Sequence, residues 1–288
     1  MSVVVVSYNT RDKLRRCLLA VEREHELIVV DNASRDGSAD MVASEFPDVK
    51  LIRNVENRGF GAANNQGLAL ATRRLKLLLN SDCYADPGAI ASLAELFADE
   101  RVVAAGGALR NPDGSLQQSA ANDLSLWVVF CEQFGLERIF RSYWVSDRIS
   151  RAAPVDQVMG ACLMFNTDDR FDERFFLYCE DSDLCVRLRK KGLILYDPSS
   201  RFIHELGSSS EGEERWRAVA RYNQGKELYF RIHRGPGSAG FCRFLNRCGA
   251  WLRWAAYSLM AIGNGRHRER VKLWERVLAA LDHPSTPN

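Results

Sequence analysis

The chain opens on four valines, Val3 to Val6, and from there short aliphatic runs alternate with stretches whose apolar residues recur every three or four positions. Short apolar runs bounded by turn residues mark buried strands, and the longer period marks amphipathic helices. The spacing predicts strands over 3–6, 27–30, 49–53, 75–79 and 102–109. Between them it predicts helices over 11–22, where Leu14, Leu18 and Val21 share a face, over 38–46, and over 60–71, entered through Gly59 and Gly61. A further helix runs from Pro87, a residue tolerated in a first helical turn, to Ala98. Strands and helices in strict alternation imply an α/β fold, a mostly parallel twisted sheet flanked by its crossover helices.

Asn111-Pro112-Asp113-Gly114 is a turn signal. The aromatic-rich stretch 124–144 is poorly periodic and reads as mixed helix and loop, and 155–165 reads as one or two buried strands around Gly160. A helix over 181–191 has carboxylates in its first turn, Arg189, Lys190 and Lys191 in its last and Gly192 as its stop. Strands over 193–196 and 201–204 are expected to be split by Asp197-Pro198. After Glu211 the pattern is helical, which divides the chain into a domain over 1–210 and a helical C-terminal extension over 211–288. Within the extension, 241–262 is apolar but interrupted by Arg243, Arg247 and Arg253, too charged to span a bilayer. Two readings stay open for it. One is an interfacial helix with Trp251, Trp254 and Tyr257 at headgroup depth and the arginines on lipid phosphates; the other is an amphipathic helix packed on its own domain or on a second copy.

Composition changes this picture little. With 288 residues, 46% hydrophobic and 26% charged, the chain is long enough for one large domain and an appendage. A net charge of +2 gives no argument for nucleic acid, although arginines gather between Arg215 and Arg276, as suits an anionic cytoplasmic leaflet. Eight cysteines without a C-x-x-C pair read as reduced thiols in the core or at the surface of a cytosolic protein. The apolar start lacks a basic flank and is cut short by Ser7-Tyr8-Asn9, so it reads as a first strand and not as a signal peptide.

The candidate chemistry lies where strands end. Asp82 follows the run Leu77-Leu78-Leu79 through Asn80-Ser81, and open α/β sheets hold ligands at the carboxyl ends of their strands. A hard carboxylate there is a candidate ligand for Mg²⁺ or Mn²⁺ bound to a diphosphate, and His204, after another short strand and before the loop Glu205-Leu206-Gly207-Ser208, is a second. Asp31 can accept from a pyrimidine N3–H, with Ser7, Tyr8 and Asn9 beside it. Arg58, Gly59 and Gly61 can approach a nucleoside or its phosphates, whereas Ser34, Asp36 and Ser38 also fit a turn and helix cap. Glu180 and Asp181 open a helix after Phe175-Phe176-Leu177-Tyr178; Asp181 can act as a general base toward an acceptor hydroxyl and Glu180 can orient the acceptor or the loop. Asp183 and Arg187, four apart, read as a structural ion pair. A dinucleotide-dependent oxidoreductase is disfavoured, since the first strand leads into Ser7-Tyr8-Asn9-Thr10 and not into a glycine fingerprint.

These segments resemble the inverting family 2 glycosyltransferases of the GT-A (nucleotide-diphospho-sugar transferase) fold, in particular rhamnosyltransferase-like members from bacteria. The matching stretches are Val-Ser-Tyr-Asn (6–9), Val-Asp-Asn-Ala-Ser-Arg-Asp-Gly-Ser (30–38), Asn-Arg-Gly-Phe-Gly-Ala-Ala-Asn-Asn-Gln-Gly (57–67) and Leu-Leu-Asn-Ser-Asp (78–82). They continue with Pro-Asp-Gly-Ser-Leu-Gln (112–117), Gly-Ala-Cys-Leu-Met (160–164), the run 171–188 through Glu180-Asp181, and His204 with Gly207-Ser208. The resemblance implies that Asp31 recognises a pyrimidine, that Asp82 ends the family's D-x-D element, that Asp181 is the base and that His204 is a metal ligand. Asn32, Asn64, Asn80 and Ser81 fall in the same stretches and complete the implied donor-binding set. One departure is that the D-x-D element reads Asn80-Ser81-Asp82, with one carboxylate where many relatives have two or three. The function implied is transfer of a sugar, rhamnose among the candidates, from a dTDP- or UDP-activated donor to a glycan or polyprenyl-linked acceptor in cell-surface polysaccharide synthesis. The enzyme would be cytoplasmic, peripheral on the inner face of the membrane. A non-catalytic nucleotide-sugar-binding module is the alternative; it would keep Asp31 and need neither base nor metal ligands.

Overall fold

The computed structural model of the chain describes residues 1–22, 24–205, 215–263 and 265–282. Over their described residues, two compact units emerge: Met1–Asp123, Trp144–Phe176 and Glu180–Ser208 form the first, and Leu124–Tyr143, Leu177–Cys179 and Ser209–Asn288 the second.

The first unit is built on a nine-stranded mixed sheet. Its strands are β1 (Ser2–Ser7), β2 (Glu26–Asp31), β3 (Lys50–Arg53), β4 (Lys76–Asn80), β5 (Cys83–Ala85), β6 (Val102–Arg110), β8 (Ala153–Pro154), β10 (Cys162–Phe165) and β11 (Leu193–His204), in the order β3-β2-β1-β4-β10-β6-β11-β5 with β8 on β11. Two short strands, β7 (Ala120–Ala121) and β9 (Gln157–Val158), pair separately. Strands β1 to β4, β6 and β11 run one way; β10, β5 and β8 run against them.

Side-chain alternation sets the layers. Val3, Val5, Val29, Leu77 and Leu79 enter one core with Leu14, Cys17 and Leu18 of helix α1 (Arg11–Leu19), Met41 and Val42 of α2 (Ser38–Glu45), and Ile90 and Leu93 of α4 (Ala89–Glu95). Val4, Ile28 and Leu78 point to the other face. They meet Leu68 of α3 (Phe60–Leu70) and Leu184, Cys185 and Leu188 of α6 (Glu180–Arg189). With helices on both faces the strands are apolar throughout, which is why they read as runs and not as alternations. Gly67 lets α3 close onto β1, since a Cβ there would stand 2.4 Å from Val4 Cγ1.

Three expectations change at element ends. Pro87 stands outside α4: Asp86 to Ala89 close a turn, and Gly88 at φ 78° starts the helix at Ala89. Helix α1 stops at Leu19, short of Glu22. The expected strands around Asp197-Pro198 are one strand, β11, whose register with β6 shifts between Asp197 and Arg201. Pro198 has no N–H to give the ladder, and the Asp197 carboxylate closes the bulge by accepting from Ser199 N (3.0 Å) and Ser200 Oγ (2.6 Å).

The second unit is helical. It contains α5 (Leu126–Gln133), a long helix α7 (Arg215–Gly263) broken at Gly235, where φ is 85°, just before Pro236, and α8 (Arg268–Asp282). Within 241–262 one face of α7 packs on α8: Trp254 Nε1 donates to Glu275 at 3.3 Å and Tyr257 stacks on His267. Phe241, Phe244, Trp251, Leu252, Leu259 and Ile262 fall within about a third of the helix circumference and are exposed. The packed reading of this segment holds for one face, and the interfacial reading changes in two details. Trp254 and Tyr257 belong to the packed face. The arginines expected on lipid phosphates are engaged within the chain: Arg243 with Glu227, Arg247 with Asp282 at 2.7 Å, and Arg253 with the carbonyls of Glu132 and Gln133 at 3.0 and 2.8 Å. All eight cysteines are free thiols, seven of them buried.

Candidate active site

Strand register lines up the candidate residues along the carboxyl edge of the sheet. Ser7 is paired with Asp31 and Val6 with Asn80, while Asn80 N–H donates to Ala161 O at 3.1 Å across to the start of β10. His204, the last residue of β11, pairs with Cys83, next to Asp82, and Glu205 N–H donates to Asp82 O at 3.0 Å.

The first two loops are zipped together. Asn9, left-handed at φ 55°, receives Arg35 N–H on its side-chain oxygen (2.8 Å) and gives its own N–H to Ser34 Oγ (2.9 Å). Asp36 accepts from Arg11 N and Ser38 N, so Ser34, Asp36 and Ser38 act as the turn and cap residues that their types allow. Between these loops Asp31 is buried. One of its carboxylate oxygens takes Ser34 N–H at 3.1 Å, and the other has no partner. A buried acceptor left open fits a donor that arrives with a ligand. Tyr8 is exposed beside it.

Asn32 is a clamp. Its amide donates to Asn57 Oδ1 and Gly59 O and accepts from Arg58 N and Asn54 Nδ2, fixing the loop that carries Arg58, whose side chain is exposed. Gly59, at φ 83°, has a built-in reason to be glycine: a Cβ would stand 2.4 Å from Phe176 O, the acceptor of the Phe60 N–H. Gly61 lies against Phe171, and Asn64 turns inward to the Phe60 carbonyl at 3.0 Å. For these three, the close contacts in the structure are with the chain itself.

Around the Asn80-Ser81-Asp82 element, Ser81 Oγ contacts Thr10 Oγ1 at 2.8 Å, which contacts Ser7 Oγ at 3.0 Å; Thr10 was not singled out in the sequence. Asp82 Oδ1 and His204 Nε2 are 3.3 Å apart, Asn80 Nδ2 lies 3.3 Å from the same nitrogen, and His204 Nδ1 lies 3.0 Å from Gln117 Oε1. Glu205, next in sequence, is gripped by Arg16 (2.6 Å) and Lys13 (3.5 Å) of α1. No group of three or more His, Cys, Asp or Glu side chains converges among the described residues. The Asp82–His204 pair nonetheless offers one carboxylate oxygen and one imidazole nitrogen face to face. Two protein ligands suit a cation that takes its remaining oxygens from a diphosphate and water. The other residues of the expected loop, Leu206, Gly207 and Ser208, lie outside the described residues.

Glu180 and Asp181 follow two left-handed residues, Tyr178 (φ 75°) and Cys179 (φ 67°). With Asn9 and Ala33 these are the four described non-glycine residues at positive φ, all within the motif stretches. Backbone strain of this kind collects where geometry is held for function. Asp181 accepts from Gly160 N (3.1 Å), in the turn before β10, and from Ser182 N (2.8 Å), which brings it to the same sheet edge. Burial raises its pKa above the usual aspartate range in spite of these donors. Glu180, 5% exposed, has one oxygen without a partner; burial and then the Asp181 charge hold its carboxyl well above the usual range. Asp183 is paired with Arg187 at 2.7 Å, as their spacing predicts.

A mostly parallel sheet covered by helices on both faces, with the candidate residues along its carboxyl edge, has the architecture of the GT-A fold, and comparisons with known proteins give the family. The chain belongs to glycosyltransferase family 2: the profile described as Glycosyl transferase family 2 matches residues 2–157. The N-acetylglucosaminyl-diphospho-decaprenol L-rhamnosyltransferase of Mycobacterium tuberculosis is 30% identical over 242 residues, 73% of this chain and 77% of that protein. The low-salt glycan biosynthesis hexosyltransferase Agl10 of Haloferax volcanii is 22% identical over 207 residues, 67% of this chain and 62% of that protein. Among solved structures, the mannosyltransferase PcManGT from Pyrobaculum calidifontis, in complex with GDP-Man and Mn²⁺, superposes with a TM-score of 0.56 at 16% identity, covering 97% of this chain and 85% of that one. Residues 1–349 of Staphylococcus aureus TarS superpose with a TM-score of 0.51 at 15% identity, covering 99% and 91%. At these identities the structural likeness carries the GT-A fold.

Proposed function

We propose that the protein is an inverting glycosyltransferase that moves a sugar, with rhamnose as the first candidate, from a dTDP- or UDP-sugar to a polyprenyl-linked or glycan acceptor during cell-surface polysaccharide synthesis. The observation that carries this reading is the gathering along one sheet edge of the unpartnered Asp31 oxygen, the Asp82–His204 pair and the Asp181 carboxylate. The rhamnosyltransferase relative supports the choice of sugar and of a lipid-linked acceptor.

In this mechanism Asp31 accepts the pyrimidine N3–H on its open oxygen, and the zipped loops after β1 and β2 hold the nucleoside. Asp181 takes the proton of the acceptor hydroxyl as that oxygen bonds to the anomeric carbon. The bond from that carbon to the nucleoside diphosphate breaks, its electron pair leaves with the diphosphate, and the configuration inverts in one displacement. Raised basicity suits Asp181 to that proton. Asp82 and His204 would hold a divalent cation, Mg²⁺ or Mn²⁺, which supplies charge neutralisation for the departing diphosphate. Glu180 orients the acceptor or the turn before Asp181.

A panel of nucleotide sugars tested by thermal shift with Mn²⁺ or Mg²⁺, followed by transfer assays on a polyprenyl diphosphate acceptor, tests the reading. Stabilisation by a dTDP- or UDP-sugar with turnover is expected. Stabilisation with neither transfer nor donor hydrolysis would leave a binding module instead.

We also propose that the second unit rests on the inner membrane face. No described helix is long and apolar enough to cross a bilayer. The exposed stripe of Phe241, Phe244, Trp251, Leu252, Leu259 and Ile262 gives an apolar face, and between Arg215 and Asp282 fourteen Lys and Arg stand against four carboxylates. Flotation on vesicles containing phosphatidylglycerol is expected to fall in a Phe244→Glu/Trp251→Glu variant; equal flotation excludes this face.

A further inference from the structure

His204 is bracketed by a residue 87 positions away, and the bracket determines where its protons sit. The Gln117 amide nitrogen has two acceptors, the His204 carbonyl oxygen at 2.5 Å and Asn111 Oδ1 at 2.7 Å. Asn111 is itself fixed in the turn before it, donating from its backbone to Ser115 O (2.9 Å) and from its side chain to Ser115 Oγ (2.8 Å). An amide carries two N–H donors, so both are used and the orientation of the Gln117 side chain is set. Its oxygen then faces His204 Nδ1 at 3.0 Å. A carboxamide oxygen only accepts, so Nδ1 must hold the proton. In a neutral imidazole that leaves a lone pair on Nε2. Nε2 is the atom that lies 3.3 Å from Asp82 Oδ1. Gln117 and His204 are both buried, so water does not offer an alternative partner.

We infer that Gln117 is a positioning residue that fixes His204 in its Nδ1–H tautomer and so presents Nε2 as a ligand beside Asp82; the inference rests on the ligand role proposed for that pair. Without the Gln117 oxygen, the better partner for a histidine proton is the Asp82 carboxylate. The proton then moves to Nε2, and the nitrogen facing Asp82 loses its lone pair. Outer partners of this kind hold a ligand histidine in orientation and tautomer in many metal sites.

Long-range ¹H–¹⁵N correlation spectra of the metal-free full chain at pH 8, with the His204 ring assigned by its loss in His204→Asn, read the tautomer without activity or metal. The wild type is expected to be protonated at Nδ1 and Gln117→Met at Nε2. Mn²⁺ titration by calorimetry in the presence of UDP or dTDP is expected to weaken about 10- to 100-fold in Gln117→Met. An Nε2–H wild type overturns the inference. So does a Gln117→Met protein that keeps both the Nδ1 proton and Mn²⁺ affinity. Should Gln117→Met not fold, the wild-type spectrum still decides. A wild type with the Nδ1 proton but no Mn²⁺ binding would overturn the cation reading under Proposed function and leave the hold of Gln117 on His204 standing.

Discussion

The polar cluster around Lys226 in the helical unit and the carboxyl edge of the sheet hold their buried polar groups differently. In the helical unit they pair with one another: Lys226, fully buried, meets both oxygens of Glu132 at 3.0 and 3.1 Å and lies over the Tyr222 ring. Gln133 there donates to Asn223 and Asn246, and Asn246 donates to the Asn223 carbonyl. Along the carboxyl edge of the sheet, buried oxygens of Asp31 and Glu180 are left without a partner. A buried polar group that serves only the fold gains from a partner inside the chain, because an open one costs stability with no return. Groups that serve a ligand keep a valence free.

Breaking the open set should damage chemistry and leave the fold alone. Asp181→Asn is expected to lower transfer about 10³-fold, within the usual range for losing a general base, with normal folding and donor binding. Wild-type turnover in that variant would remove the base assignment. In the wild type, transfer should fall on the acid side with a midpoint above the ordinary aspartate value of 3.8, because only the carboxylate accepts a proton. Breaking the closed set should do the reverse. Glu132→Ala leaves Lys226 buried and unpaired and is expected to cost about 2 kcal/mol, less than the roughly 3–5 of a fully buried pair because Glu132 is partly exposed. Urea titration reads that loss, and donor affinity measured on the folded protein should not move.

Asp31→Asn swaps an open acceptor for an amide and should weaken the pyrimidine donor about 10-fold, roughly 1.4 kcal/mol, by calorimetry. Unchanged affinity would move base recognition elsewhere. The smallest effect is expected at Glu180. Its raised pKa means that the folded protein keeps a proton which the unfolded chain releases above its ordinary value of 4.5, so stability falls as pH rises through that window. Glu180→Gln should flatten this fall and raise Tm by a few degrees at pH 7.5. A lower Tm there would mean that the charged form of Glu180 is the stabilised one.

Legibility from sequence followed the range of the interactions. Strands β1 to β4 and helices α1 to α3 were readable because each is decided by its own apolar spacing, and Asp31, Asp82 and Asp181 because each stands at an element end that spacing locates. Strand β5 was missed: its three residues, Cys83 to Ala85, are a strand only because β11 returns beside them some 120 positions later. In the aromatic stretch after Leu124, read as mixed helix and loop, the bounds of helix α5 were not legible, since Trp127, Phe130, Phe134 and Phe140 contact one another ring to ring and their order follows those contacts as much as helical period. Gln117 lay inside a recognised motif, yet nothing local ties it to His204. The segment 241–262 kept two readings open because the in-chain partners of its arginines, such as Asp282 for Arg247, are remote in sequence.

The reversed strand β10 alters what the sheet can offer a guest. Strands that end at the carboxyl edge bring carbonyl oxygens there, acceptors that repel a phosphate or a carboxylate. A strand that begins at that edge brings amide protons, and Gly160 spends its proton on the Asp181 carboxylate. One inverted segment thus gives an otherwise acceptor-rich rim a donor for the Asp181 carboxylate, and the glycine that carries it lies under the Phe60 ring, whose Cε1 would stand 3.2 Å from any Cβ placed there.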